Sequence, residues 1–456
     1  MYDLIFRHLI FPFSEWKRGR NWAKPYRYYQ KMLNESADQL EAASSRRLNN
    51  IVVHAATTSE FWRKRFVEAE IDPSTVWSAR DLRHLPVLEK HDVQRHREEM
   101  RSRAIPVDRM RLDRTGGSTA APMEFYRDLG CLTERAACDW ILYDRIGRTP
   151  YDRWGQVWGA MQDLGRPDEF KTRLRNLLLR RAIILPGNRL EPQSMDRFLK
   201  QAGRFRIRFL HGYSQAICLL AHHAENTTNL LPHLKAITVT AEPISSDQKK
   251  MVEQVFKCPV YVLYGTREFG IAAGEAPGLT GMHINPLSTL IEFLGPNGTP
   301  TEPGTPGQII VTDLLNRAQP MIRYRIGDVG IPMEPNGPGG CGLPRMEIQA
   351  GRETDLVITP DGNFVCGAAL TLITANGISK LQYIQTQKDS VTIRYVKNDS
   401  YCLETLAELR RQILGVLGPK VQLEFCETDD IPTLSSGKYQ YVHSEVARRH
   451  FRTSGD

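Results

Sequence analysis

Short apolar strands alternate with helical stretches between residues 157 and 265, and this alternation constrains the fold more than any other feature. Phe209–Tyr213 leads into one helical stretch, Ala236–Thr240 leads into the next, and residues 260–265 form another apolar strand. Strands that alternate with helices are typical of α/β proteins, in which helices pack against a sheet. Ligands of such sheets bind where strands end in loops, so we expect a site near Tyr213, Glu242 and Tyr264.

The sequence pattern changes near residue 288 and again near residue 351. From about 288 to 350, short strands alternate with turns rich in proline and glycine, which predicts a β-rich subdomain. Farther along, strands near 381–396 and 420–426 flank a helix from about Leu403 to Leu417. We therefore predict an α/β fold with a large N-terminal domain of layered sheets, residues 1–350, and a small, mobile α+β C-terminal domain, residues 351–456.

Charge and cysteine spacing argue against a nucleic-acid-binding protein, a zinc knuckle and a secreted disulfide scaffold. The chain has 456 residues with 60 basic and 52 acidic side chains, a net charge of +8. This excess suits a polyanionic ligand or a membrane surface and is too diffuse to predict nucleic-acid binding. No two of the eight cysteines have C-x-x-C spacing, so we expect reduced thiols and a cytoplasmic location.

The N-terminal residues 1–13 are apolar but are interrupted by Arg7, His8 and Pro12. This interruption makes them a poor signal peptide, and no run of about 20 apolar residues occurs anywhere in the chain. We expect a short helix packed on the domain. Because tryptophans and basic residues follow, peripheral contact with a membrane is the alternative.

A loop rich in glycine and hydroxyl residues, Thr-Gly-Gly-Ser-Thr-Ala-Ala-Pro, occupies residues 115–122. Glycines let backbone N–H groups approach an anion closely, and hydroxyls add donors that can rotate. The loop therefore predicts a phosphate site, although it does not match the Walker pattern. The alternative is an ordinary surface loop.

Four further short motifs contain residues that could carry chemistry. Tyr264 could stack on a base, and Glu268 could hold Mg²⁺ or orient a phosphate. Asp328 follows a glycine and offers two acceptor oxygens to the hydroxyls of a ribose. Asp355 lies where a hinge would be expected, and Lys438, beside Gly437, could reach a developing negative charge. For each residue the alternative is structural: a buried tyrosine, a solvated glutamate or lysine, a turn aspartate, or a linker.

The order of these motifs resembles the adenylate-forming (acyl-CoA synthetase-like) superfamily, in particular its phenylacetate–CoA ligase and CapK-like branch. The resemblance covers nearly the whole chain, and five motifs carry it: T-G-G-S-T-A-A-P at 115–122, Y-G-T-R-E at 264–268, R-Y-R-I-G-D at 323–328, G-R-E-T-D at 351–355 and S-G-K at 436–438. Further similarity lies at His54-Ala55 with Phe61-Trp62, at Leu85-Pro86 with Lys90, and at Ala241-Glu242-Pro243.

The resemblance implies a role for each motif. Lys438 and Glu268 would be catalytic, with Glu268 also holding Mg²⁺, and Asp355 would be the hinge of a mobile C-terminal domain. The residues implied in binding ATP and AMP are Thr115, Gly116, Gly117, Ser118, Thr119, Ala241, Glu242, Pro243, Tyr264, Gly265, Thr266, Asp328 and Arg352. The implied reactants are ATP with Mg²⁺, a small carboxylic acid and CoA.

The resemblance implies that Tyr264 stacks on adenine near Ala241 and Glu242. The acyl pocket is expected in residues that precede this adenine site in the sequence. Trp158 and Tyr213 would favour a flat or aryl acid if both point inward, and the alternative is that they are core aromatics. The candidates for the pocket lining are Trp158, Gly159, His211, Gly212, Tyr213 and Ser214.

The sequence departs from the family pattern in three places. Ala120 stands where the loop usually has a glycine, and Tyr441 stands where an arginine usually follows the C-terminal lysine. Many relatives carry a zinc cluster, but only His283 and Cys341 remain of its members, and Ala276 replaces a cysteine. We therefore expect no structural zinc.

Three functions remain open from the sequence. The first is an AMP-forming ligase that transfers an acyl group to CoA. The second is a CapK-like enzyme that transfers it to an amine or a sugar during cell-surface polysaccharide synthesis. The third is a nucleotide-binding protein without catalytic activity, for which the departures at Ala120 and Tyr441 are the support.

Overall fold

The structure is a computed structural model of the full chain. It describes all residues except 1, 18, 20, 116–122, 159–169, 187–189, 226–230, 336–342, 351–355, 363, 367–369, 371–372, 374, 433–439 and 452–456. Seven of the residues predicted to form the site lie outside the described residues, namely Gly116, Gly117, Ser118, Thr119, Gly159, Arg352 and Lys438, as do Ala120, Cys341 and the predicted hinge residue Asp355.

Helices form the beginning of the chain. The longest of them starts at a capping box in which Ser36 and Gln39 bond each other's backbone N–H groups. Its apolar residues Leu48, Ile51 and Val52 are buried at helical spacing. The helices are α1 Tyr2–Ile5, a π-helical turn Phe6–Ile10, α2 Phe11–Lys17, α3 Ala23–Met32, α4 Ala37–Thr58, α5 Glu60–Glu68, α6 Lys90–Arg95 and α7 Arg97–Met100.

A two-stranded hairpin precedes the main sheet and frames the predicted phosphate loop. Its strands are β1 Met110–Arg114 and β2 Glu124–Asp128. Asp128 then caps α8, Leu129–Arg145, by accepting a hydrogen bond from the Cys131 N–H at 2.9 Å.

One eleven-stranded sheet organises the large domain. Its parallel half, in spatial order, is β7 Val260–Thr266, β6 Ala236–Thr240, β5 Phe209–Tyr213, β3 Trp154–Trp158 and β4 Ala182–Pro186. Its antiparallel half contains β8 Gly270–Gly274, β9 Met282–Ile284, β10 Thr289–Leu294, β11 Gly307–Asp313, β12 Tyr324–Met333 and β13 Arg345–Ala350. The strands of the predicted β-rich subdomain therefore continue the same sheet, and β7 joins the two halves.

Helices cover one face of the parallel half. Leu210 and Val239 point to this face and pack with Phe198 and Ile217 in one hydrophobic core. The helices after α8 are α9 Phe170–Leu179, α10 Pro192–Phe205, α11 Ser214–Ala224 and α12 Ser246–Phe256. A second core joins α4 and α5 to the antiparallel half through Trp62, Phe66 and Phe269. The alternation of strands and helices thus forms the predicted α/β layers.

The C-terminal residues form a four-stranded sheet with its own core around Tyr383, Ile393 and Ile413. The strand order is β18-β17-β16-β19. The elements are β14 Leu356–Ile358, β15 Phe364–Cys366, β16 Ile378–Gln387, β17 Ser390–Lys397, α13 Leu403–Leu417, β18 Gln422–Glu427, β19 Val442–Ser444 and α14 Glu445–Phe451. The strands and the helix predicted here are present. Among the described residues, no helix is long and apolar enough to cross a membrane.

Candidate nucleotide and acyl site

The ends of β5 and β6 meet at one edge of the sheet, where Tyr213 lies opposite Thr240. The Ser214 hydroxyl donates to the Glu242 backbone oxygen at 2.7 Å, and the Gln215 N–H donates to Glu242 Oε2 at 3.2 Å. Ala241 has a φ of 73°, a left-handed conformation that costs a non-glycine residue free energy. The start of α11 therefore holds residues 241–243, here called the adenine-side loop, in a fixed and strained shape.

The structure brings together Tyr264 and Asp328, two residues that are 64 positions apart in the sequence. Tyr264 lies on β7 and donates a hydrogen bond from its hydroxyl to Asp328 Oδ2 at 2.8 Å. Burial raises the pKa of Tyr264 well above its usual value, and the Asp328 carboxylate raises it further. The phenol is therefore a permanent donor that orients the carboxylate predicted to bind a ribose.

Removing this donor tests whether it prepares the site for a nucleotide. We expect Tyr264→Phe to weaken AMP binding roughly three- to tenfold, because the Asp328 carboxylate loses a charge-assisted hydrogen bond. Isothermal titration calorimetry measures the change. Tyr261→Phe, on the same strand, is the matched control, and equal AMP affinity in both variants would contradict this role.

Glu268 is buried, with 9% of its surface exposed, beside the end of β7. Burial raises the pKa of its carboxyl group, whereas a hydrogen bond from Thr266 and the positive charges of Lys90 and Arg267 lower it. An additional cation beside this carboxylate would favour its ionised form further. This environment fits a magnesium ion bound together with nucleotide phosphates, because Mg²⁺ commonly takes only one or two protein carboxylates.

The base of the predicted phosphate loop is closed by Thr115. Its N–H donates to the Met123 carbonyl at 2.8 Å, and the Met123 N–H donates to Thr115 Oγ1 at 2.9 Å. Asp113, two residues earlier, forms ion pairs with Arg127 and with Arg267, the latter at 3.6 Å. These contacts connect the base of the loop to the segment that carries Glu268.

Aromatic side chains line the predicted acyl region. The Trp158 ring lies 4.8 Å from the Tyr213 ring and 5.3 Å from the His211 ring, measured between centroids. His211 is buried, and its Nδ1 atom lies 2.8 Å from Thr238 Oγ1. A Cβ at Gly212 would lie only 2.7 Å from the Val157 carbonyl oxygen, so this position needs glycine. Four predicted pocket residues therefore form one cluster, whereas Ser214 also supports the adenine-side loop.

His211 is expected to make stability depend on pH. Burial and then the positive charge of Arg148 lower its pKa from 6.5 to about 3. Below pH 6.5 the unfolded chain binds a proton that the folded protein excludes, so stability present at neutral pH is lost as the pH falls. We expect a loss of about 2 kcal/mol between pH 7 and pH 5.

Urea unfolding at both pH values measures this loss. It should shrink in His211→Gln and persist in His222→Gln, whose side chain is exposed at the end of α11. An equal loss in His211→Gln would show that other groups cause it.

Buried charges that the sequence analysis missed support the site. Arg323 in R-Y-R-I-G-D forms an ion pair with Glu292 at 3.0 Å and bonds the carbonyls of Leu82, Arg83 and Leu85. Similarly, Arg325 pairs with Glu89 at 2.6 Å. The sequence signal that could have revealed these arginines is their position beside a buried strand. A charge buried there requires a partner of opposite charge.

Tyr441, the residue that replaces the expected arginine, accepts a hydrogen bond from the Tyr383 N–H through its backbone oxygen at 2.7 Å. Burial raises the pKa of Tyr441, and the negative charge of Glu242 raises it further. The departure at Tyr441 is therefore subject to the charge of Glu242, one of the residues implied in binding the nucleotide. Among the described residues, no three His, Cys, Asp or Glu side chains could hold a metal together. His283 and Ala276 are buried.

Comparisons with known proteins agree with this architecture. Residues 357–445 match the family model of the CapK C-terminal domain. The protein CapK of Staphylococcus aureus is 21% identical over 436 residues, which cover 92% of each chain. The phenylacetate–coenzyme A ligase of Escherichia coli K12 is 23% identical over 343 residues, covering 71% of this chain and 73% of that protein.

Among solved structures, a 2-hydroxyisobutyryl-CoA ligase in the postadenylation state, in complex with R3-HIB-AMP, has the same fold. Its TM-score is 0.68 at 20% identity, and the match covers 89% of both chains. The C-terminal domain match, the curated relatives and the shared fold all fit a CapK-like protein of the adenylate-forming superfamily.

Proposed function

We propose that this protein uses ATP to activate a carboxylic acid as an acyl adenylate and then transfers the acyl group to the thiol of CoA. The observation that carries the proposal is the hydrogen bond between Tyr264 and Asp328 beside the buried carboxylate of Glu268. The same edge of the sheet carries the aromatic cluster of Trp158 and Tyr213. A nucleotide site and an acyl site would thus be adjacent, as adenylation requires.

In the first half-reaction, an oxygen of the substrate carboxylate attacks the α-phosphorus of ATP. The bond from that phosphorus to the bridging oxygen breaks, and pyrophosphate leaves with the electron pair. Both reactants are anions, so the protein must align them and neutralise charge. Asp328 would hold the ribose, the loop after Thr115 would hold phosphates, and Lys438 would stabilise charge on the α-phosphate.

Glu268 would hold the magnesium ion that accompanies ATP, and this ion would supply charge neutralisation at the phosphates. The buried setting of Glu268 supports the role, because Lys90 and Arg267 offset only part of the cost of burying the charge. Ala241, Glu242 and Pro243 would lie along the adenine.

In the second half-reaction, the CoA thiolate attacks the acyl carbon, the bond from that carbon to the AMP oxygen breaks, and AMP leaves. Movement of the C-terminal domain about Asp355 would remove Lys438 and admit the thiol.

A second candidate differs only in the acceptor. The match to CapK of Staphylococcus aureus covers 92% of both chains, whereas the match to the phenylacetate–coenzyme A ligase covers 71% of this one. This difference favours the CapK-like candidate, for which we propose transfer of the acyl group to an amine or a sugar hydroxyl. The attacking atom would then be nitrogen or oxygen, and AMP would leave in the same way.

The products of the reaction separate these candidates. The protein is incubated with ATP, Mg²⁺ and a panel of aryl, fatty, amino and sugar acids, with and without CoA, and mass spectrometry follows AMP and the acylated product. An acyl-CoA product would support the first candidate. Acyl adenylate that CoA does not consume, but an amine or a sugar does, would support the second. If no acid in the panel gives AMP or an acyl adenylate, both candidates are contradicted.

A further inference from the structure

The N-terminal helix, formed by α1, the π-helical turn and α2, is fixed to the domain along one face. Phe6 is fully buried, and the Phe11 ring lies 5.6 Å from the Trp22 ring and 5.4 Å from the Tyr151 ring. Arg7 adds a cation–π contact 5.0 Å from the centre of the Tyr151 ring. Since these contacts hold the helix, its remaining face has a defined direction.

That remaining face, here called the outer face, presents four large apolar side chains to solvent. The exposed fractions are 65% for Leu4, 65% for Leu9, 61% for Phe13 and 73% for Trp16. Phe13 and Trp16 lie side by side, with ring centroids 5.7 Å apart. Single exposed apolar residues are common on protein surfaces, but an apolar row on an anchored helix is typical of an interaction site.

The apolar surface continues toward α9. Arg181, which follows that helix, forms an ion pair with Asp3 at 2.5 Å and lies 5.1 Å from the centre of the Phe6 ring. This contact places the end of α9 beside the N-terminal helix. Three further leucines of α9 are exposed, namely Leu174, Leu178 and Leu179.

Positive charge surrounds this surface. Residues 170–181 contain five basic and no acidic side chains. On the N-terminal side, Asp3 is paired with Arg153 and Arg181, and Glu15 is buried. The exposed basic residues of the N-terminal helix and α9 are Arg7, Lys17, Lys171, Arg173 and Arg175. Two copies of such a surface would repel each other, whereas an anionic lipid surface would attract it.

We propose that the outer face is a membrane-binding surface, with Leu4, Leu9, Phe13 and Trp16 inserted at the boundary between headgroups and acyl chains of an anionic bilayer. The basic residues around it contact the lipid headgroups. Amphipathic helices with Trp, Phe and Leu on one face and basic residues beside them bind in the plane of the interface in this way. The binding does not depend on the catalytic proposal, because none of these residues belongs to the nucleotide site.

Flotation with lipid vesicles tests this proposal on the full chain. Vesicles contain phosphatidylcholine alone or phosphatidylcholine with phosphatidylglycerol. We expect binding only to the anionic vesicles, weakening at high salt. Binding by the double variant Phe13→Ser with Trp16→Ser should be weaker by at least roughly tenfold, because both exposed rings lose their apolar contact with lipid. The matched control is Trp77→Ser, which removes an exposed tryptophan elsewhere on the domain.

A second variant tests the charge separately and leaves the apolar residues intact. Lys171→Glu with Arg173→Glu should also weaken binding to anionic vesicles, and the midpoint of thermal unfolding should stay unchanged in both double variants. Absence of binding to anionic vesicles would overturn the proposal. Binding by the Phe13/Trp16 variant equal to that of the wild-type protein would also overturn it. So would self-association of the wild-type protein without lipid, if this variant abolishes it.

Discussion

Replacing Lys438 with alanine should lower the rate of acyl-adenylate formation roughly 10²–10³-fold while changing the affinity for ATP less than about threefold. The reason is that a lysine delivered to the α-phosphate neutralises charge that develops mainly in the transition state. Rapid-quench measurement of acyl-adenylate and pyrophosphate formation gives the rate, and calorimetry gives the affinity. Lys438→Arg should restore only part of the rate, because the guanidinium keeps the charge but differs in shape.

Lys420→Ala is the matched control for this experiment. Lys420 is an exposed lysine of the same domain, paired with Asp361 at 2.5 Å, and its loss should leave the rate unchanged. A Lys438→Ala variant that retains the wild-type rate would remove Lys438 from the mechanism. A large loss of ATP affinity would instead assign it to nucleotide binding.

Replacing Arg323 with alanine should lower the free energy of unfolding by about 3–5 kcal/mol. Arg323 is 3% exposed, and its guanidinium bonds Glu292 and three backbone carbonyls at Leu82, Arg83 and Leu85. Its removal leaves the buried Glu292 carboxylate without its partner, and such uncompensated charges are strongly destabilising. Urea unfolding followed by tryptophan fluorescence measures the loss.

Two comparisons identify the source of that loss. Lys31→Ala breaks an exposed pair with Glu35 and should change stability by less than about 0.5 kcal/mol. The double variant Arg323→Met with Glu292→Leu should recover part of the loss, because it removes both charges and leaves only the carbonyls unpaired. No recovery would mean that the three carbonyl contacts account for the whole effect, and a small loss in Arg323→Ala would contradict the network.

Local patterns in the sequence were sufficient to predict the elements. Alternation of strands and helices indicated α/β layers, and the helix predicted from about Leu403 to Leu417 matches α13. The continuity of the sheet was not predictable, because the β-rich strands join it through the pairing of β13 with β9, whose residues lie far apart in the sequence. Turns rich in proline and glycine looked like a separate subdomain for this reason.

The residues of the site could be predicted from short motifs, but the contacts between them depend on the fold. Tyr264 and Asp328 were selected from separate motifs, and their direct hydrogen bond appeared only in the fold. The strained Ala241 and the interaction of Tyr441 with Glu242 gave no pattern in the sequence, because both depend on tertiary packing. The buried ion pairs of Arg323 and Arg325 were not predicted, because charged residues are usually exposed.

The central claim is that this site activates an acid with ATP, and exchange of labelled pyrophosphate into ATP tests it most directly. The measurement depends only on the first half-reaction, so it requires neither CoA nor any other acceptor. We predict exchange that requires Mg²⁺ and one class of carboxylic acid, and that Tyr264→Phe reduces. An absence of exchange with every acid class, in a protein that binds ATP measurably, would contradict the claim and favour a nucleotide-binding protein without catalytic activity.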